Sequence, residues 1–168
     1  GHYVTQLNGK IIAGQGGTWL IDPYDYTIDA AAAANIVAVL NAGTNVTVTT
    51  QANNGSYGAT ASGNGNITVS SAIAWSSAAN LALQADGDIA INANIISTGG
   101  GAFSATAQGN ITVGSAATVA VGGNAAAVTM RSNMPLEVDG IVEANASGGL
   151  GAIYLSGKGV LMPTAARI

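Results

Sequence analysis

The residues able to do chemistry in this chain are few and fall into small groups. His2 is the one histidine, the ordinary general base near neutral pH, and it sits in a terminal segment of the kind that frays. Asp22, Asp25 and Asp29 lie close together, as do Asp86 and Asp88. Paired carboxylates carry out acid and base chemistry on sugars. Asp86-Gly87-Asp88 also sets two hard oxygen ligands around a flexible glycine, which suits calcium. Against both readings, aspartate is a common turn residue because it hydrogen-bonds its own backbone. Gly99-Gly100-Gly101, Gly122-Gly123 and Gly14-Gln15-Gly16-Gly17 are rich enough in glycine for a phosphate loop. None is followed by the Gly-Lys-Ser/Thr that such a loop needs.

The elements that would carry these residues are short and repeat. Ile67-Thr68-Val69, Ile89-Ala90-Ile91 and Ile111-Thr112-Val113 recur every 22 residues, and the series continues at Leu136 and Val160. A second series starts at Leu81, Phe103, Val128 and Ile153, and a third at Ile73, Ile95, Val119 and Ile141. Repetition on this scale marks a protein whose units bury their apolar faces only against one another. Three short alternating strands per 22 to 25 residues, separated by Gly, Asn, Asp and Ser, predict one triangular coil of a parallel β-helix. Alternation sends Ile67, Ile89, Ile111, Leu81, Phe103 and Val128 inward as the structural core and Thr68, Thr112 and Glu137 outward. Asn66 and Asn110 then stand where Asp88 stands, and the calcium-binding Gly-Gly-x-Gly-x-Asp repeat is missing. That corner reads as a turn or an Asn/Asp ladder in preference to a metal site.

Composition fits a single solenoid domain over residues 1–168, with divergent coils over 1–50 and regular ones over 51–168. Only 7% of residues are charged, against about 25% in an average globular domain, and small residues take up the difference. A formal charge of −4 with four fixed cations argues against nucleic acid and against an anionic membrane surface. No apolar run approaches the roughly 20 residues of a membrane-spanning helix. There is no cysteine, so stacked hydrogen bonds and not disulfides must hold the coils. Gly1-His2-Tyr3 lacks an initiating Met, which points to processing or to a fragment.

The first third has its own texture. Trp19-Leu20-Ile21 reads as a strand, Asp22-Pro23 as a turn and Tyr26-Thr27-Ile28 as the next strand. Ala30 to Leu40 has the propensity for one short helix, with Gly43 as its cap. The segment Gly-Thr-Trp-Leu-Ile-Asp-Pro-Tyr-Asp-Tyr-Thr-Ile, followed by Ile-Val-Ala-Val-Leu-Asn-Ala-Gly-Thr-Asn-Val-Thr-Val-Thr-Thr, resembles the passenger repeats of filamentous-haemagglutinin-like bacterial surface exoproteins. The match covers roughly residues 14 to 50. The resemblance implies a right-handed parallel β-helix, secreted by two-partner or autotransporter-type export and displayed as a rod. A secretion-signal domain, membrane anchor and translocator barrel are not recognisable, so the chain resembles a piece of shaft.

The sequence therefore predicts an all-β, right-handed parallel β-solenoid of six or seven coils that is extracellular or on the cell surface. It predicts no enzyme, with no catalytic, cofactor-binding or metal residues. Two uses compete: an adhesin shaft touching host or matrix glycans and proteins, and a fibre subunit that self-associates end to end through open solenoid edges. Trp19, Tyr24, Tyr26, Tyr57 and Tyr154 are the contact aromatics, while Trp75 is spaced to face inward. Asn-x-Ser/Thr triplets at Asn45, Asn54, Asn66, Asn110 and Asn145 admit glycosylation, although so Asn- and Thr-rich a chain produces several by chance. An ice-binding face would need an unbroken Thr rank, and Thr68, Ala90, Thr112 and Glu137 break it.

Overall fold

The computed structural model describes residues 14, 16–50, 63–124, 126–147, 151–163 and 166–168. Coil one holds β1 (Thr18–Ile21), β2 (Tyr26–Ile28) and helix α1 (Ala30–Asn41). Coil two holds β3 (Asn45–Thr50), β4 (Ile67–Val69) and β5 (Ile73–Trp75). Coil three is β6 (Leu81–Ala85), β7 (Ile89–Ile91) and β8 (Ile95–Ser97), and coil four is β9 (Phe103–Ala107), β10 (Ile111–Val113) and β11 (Thr118–Gly122). Coil five is β12 (Ala127–Ser132), β13 (Leu136–Val138) and β14 (Ile141–Asn145); a sixth coil contributes β15 (Ala152–Ser156) and β16 (Val160–Leu161).

Successive coils pair in parallel to build three sheets. The first runs β1-β3-β6-β9-β12-β15, the second β2-β4-β7-β10-β13-β16 and the third β5-β8-β11-β14. The result is a β-solenoid of about five turns. Of the expected six or seven coils there are six, because Val46 stacks on Leu81, 35 residues on, instead of 22 to 25; the first and last have no strand in the third sheet among the described residues. β3 ends at Thr50 and β4 begins at Ile67.

Register follows the apolar columns. Leu81, Phe103, Val128 and Ile153 are consecutive partners, as are Ile67, Ile89, Ile111, Leu136 and Val160. The third column needs one correction. Val119 stacks on Val142, and Ile141 stacks on Thr118. Val142 is fully buried while Ile141 is half-buried, so the step is 23 residues. Two adjacent apolar residues leave the alternation ambiguous by one position, and a one-residue slip turns a side chain to the other face.

Ile67, Ile89, Ile111, Leu81, Phe103 and Val128 are all buried, each side chain contributing about 1.5–3 kcal/mol. Volume is balanced within each coil. Coil four carries Phe103, the one phenylalanine, and follows it with Ala105 and Ala107, whereas coil five uses Val128 and Met130 in the same columns. Corners come close enough to demand glycine. A Cβ on Gly101 would stand 1.9 Å from the Ala79 carbonyl oxygen and 2.7 Å from Trp75 Nε1. That indole is buried and donates to the Ala79 carbonyl at 2.7 Å.

Helix α1 replaces the third strand of coil one. The Asp29 side chain caps it by accepting from Ala32 N at 2.9 Å. Ala42 ends the helix, and Gly43 follows with φ 82°, the left-handed exit expected of it. The buried stripe Ala33, Ile36, Val39 and Leu40 packs the helix against β5, β3 and β2. It thereby covers the free edge of the third sheet, whose apolar interior a helix can seal without offering unpaired edge groups to water.

Candidate functional site

Of the acidic residues with chemical potential, Asp22, Asp25, Asp86 and Asp88 lie in the corner between the first and second sheets and Asp29 caps α1; Asp25 and Asp88 hold backbone amides there. Asp25 accepts from Asn66 N at 2.7 Å and from Asn64 N at 3.0 Å. One coil on, Asn66 Oδ1 accepts from Asp88 N at 2.8 Å, and Asp88 Oδ1 accepts from Asn110 N at 2.6 Å and Asn110 Nδ2 at 3.1 Å. Each Asx oxygen thus holds the next coil's amide, the Asn/Asp ladder anticipated at Asn66, Asp88 and Asn110. Asp25 joins the same column.

Two further columns were not anticipated. Asn45 Oδ1 accepts from Asn80 N, and Asn80 Oδ1 from Ala102 N, both at 2.8 Å. On the third sheet, Asn94 Oδ1 accepts from Thr118 N at 2.9 Å. A sequence signal for all of them exists. Asn45, Asn66, Asn80, Asp88, Asn94 and Asn110 each directly precede the first inward residue of a strand.

A cleft of about 520 Å³ opens where α1 hands over to β3. Asn41, Gly43, Asn45, Ser77 and Asn80 are among its lining, and no lining residue is ionisable. Asn41 is also tied across the corner, its Oδ1 accepting from Ser76 N at 2.9 Å. The cleft offers amide and hydroxyl hydrogen bonding but no nucleophile paired with a base.

The contact aromatics divide by position. Trp19 stacks on Val46 and Tyr26 on Ile67, so both occupy inward columns of coil one and are half-buried against the core. Burial raises the Tyr26 hydroxyl pKa above its ordinary 10.0, and the nearby Asp29 charge adds to the effect. Tyr24 is half-buried in the β1–β2 corner. Tyr154 is 61% exposed on the outer face of β15. Tyr57 and His2 lie outside the described residues, as do Asn54 and Lys10. Asn145 is exposed at the end of β14, where its Nδ2 donates to Glu143 at 3.3 Å.

Among the described residues no three His, Cys, Asp or Glu side chains gather as a metal site would require, and no helix is long and apolar enough to cross a membrane. No protein-family model, characterised protein or solved structure matches the chain. The functional reading therefore rests on the stacked coils, their polar corners and the two ends of the stack.

Proposed function

We propose that this chain is a segment of the shaft of a secreted bacterial surface adhesin, a non-catalytic spacer that holds binding surfaces away from the cell. The observation that carries this reading is the way polar side chains are used. Asp25, Asn66 and Asp88, and Asn45 and Asn80 in a second column, spend their oxygens on the amides of the next coil. Such ladders lengthen and stiffen a rod at about 4.8 Å per coil. The likeness of residues 14 to 50 to filamentous-haemagglutinin-like passengers supports the same reading. Contact with glycans or proteins of a host or matrix falls to the lateral faces, where Tyr154 is the most exposed aromatic among the described residues.

The test is topological. Antibodies raised against the purified chain should label intact cells of the producing bacterium, outside the envelope. Labelling that appears only after lysis contradicts the proposal.

A further inference from the structure

The cleft at the end of α1 is lined by three carboxamides whose oxygens are all engaged. Asn41 Oδ1 accepts from Ser76 N, Asn45 Oδ1 from Asn80 N and Asn80 Oδ1 from Ala102 N. Among the described residues none of the three Nδ2 groups donates to the protein, so each keeps its N–H donors for a ligand. Asn41 and Asn80 are exposed and Asn45 is half-buried. Because the backbone holds each oxygen, the nitrogens are fixed in advance of binding, which lowers its entropic cost.

The scaffold does not need carboxamides at this corner. Asn45 and Asn80 are followed in the same column by Ala102, Ala127 and Ala152, so coils four to six turn there with a methyl group. In that column the amides stand only where the helix meets the corner.

Charge narrows the ligand. No lining residue is ionisable. The last turn of α1 holds no basic residue, so the partial negative end of the helix dipole is uncompensated beside the cleft. A phosphate, sulfate or carboxylate would meet donors but no cation, and would face that negative end. A sugar hydroxyl or acetamido group suits both features, its oxygen accepting from Nδ2 while its O–H or N–H points toward the carbonyl end of the helix. The volume of about 520 Å³ lies within the roughly 300–1,000 Å³ of small-molecule sites.

We infer that this cleft binds a neutral glycan segment, with Asn41, Asn45 and Asn80 donating to its hydroxyl or acetamido oxygens. The inference rests on the adhesin reading for the setting in which such a glycan is met, and it places the contact at this corner and not on the Tyr154 face.

Titration of the isotope-labelled 168-residue chain with cellotriose and with chitotriose, followed by amide NMR, provides the test. A sulfated heparin disaccharide and a Gly-Ser peptide serve as comparisons. At least one of the neutral trisaccharides should shift the amides of residues 41–45 and 77–80 saturably. Asn80→Asp should weaken that binding by about tenfold, the worth of a hydrogen bond, because it keeps an oxygen for Ala102 N and removes the donors. Asp88 already holds Asn110 N in this way, so the fold, checked by circular dichroism, should persist. Asn45→Asp gives the same reading from the neighbouring coil. Asn94→Asp makes the same exchange outside the cleft, where the side chain holds Thr118 N, and should leave binding unchanged. Several results overturn the inference: no saturable shift with either trisaccharide, shifts confined to the face around Tyr154, tighter binding of the sulfated disaccharide or of the peptide, or equal weakening by Asn94→Asp. Binding is read on purified protein and surface labelling on intact cells, so either claim can fail alone.

Discussion

Coil one and coil six place residues in the same inward columns under different cover. Ile21 in coil one is buried beneath coil two, whereas Leu155, in its column, is only half-buried in coil six. The third side of coil one is a helix that presses Ile36 and Leu40, both fully buried, toward β5. Among the described residues, the third side of coil six meets coil five through a bridge between Arg167 and Ile141. An inward position in a solenoid is buried by its neighbours and not by its own coil, so the same residue type is core in the middle and surface at an end.

The sharpest way to break that comparison is to put one charge at two levels of one column. Ile89→Asp should cost on the order of 4 kcal/mol, because it buries an unpaired carboxylate among apolar side chains. Val160→Asp, in a position already 43% exposed, should cost under about 1 kcal/mol. Urea unfolding of dilute protein reads both, and equal losses would refute the register. Next in size is the helix. Leu40→Ala should cost about 3 kcal/mol through the cavity it leaves, against about 1 kcal/mol for Leu155→Ala, which has less packing to lose; thermal melts compare them.

Glycine corners sharpen the contrast at smaller scale. Gly101→Ala should cost about 2 kcal/mol and change Trp75 fluorescence, because its methyl group meets Ala79 and the indole. Gly159→Ala in coil six meets nothing within 4 Å and should stay within about 0.5 kcal/mol of the parent. The smallest effect is a pH dependence confined to coil one. Since the folded state raises the Tyr26 pKa above 10.0, the unfolded chain loses that proton first as pH rises. The Tyr26 contribution is therefore complete below about pH 10 and is lost as pH climbs through the raised value. Tyr26→Phe should flatten that part of the alkaline stability curve.

Much of this architecture was legible because solenoid columns write themselves as a period. Two series of inward residues, and the Trp19, Tyr26 and α1 elements, stand where alternation and propensity put them. Alternation alone points to Ile141 where Val142 faces in, because the two neighbours are equally apolar. The 35-residue step from Val46 to Leu81 was invisible, since the sequence between them has the same Gly, Asn and Ser texture as that between strands 22 residues apart. The polar columns were half legible. Asn66, Asp88 and Asn110 shared an obvious repeat, but Asn45 and Asn80 are 35 residues apart, outside that repeat.

Residue-resolved amide hydrogen exchange on dilute, monomeric protein tests the central claim most directly. Leu81, Ile89 and Leu136, whose N–H groups donate to the following coil, should exchange slowest. Ile153, Leu155 and Val160 should be among the fastest strand amides, although they lie in the same columns as slow ones. Protection of Ile153 and Val160 equal to that of Leu81 in this chain would contradict the stacking order, in which β15 and β16 pair only with coil five among the described residues.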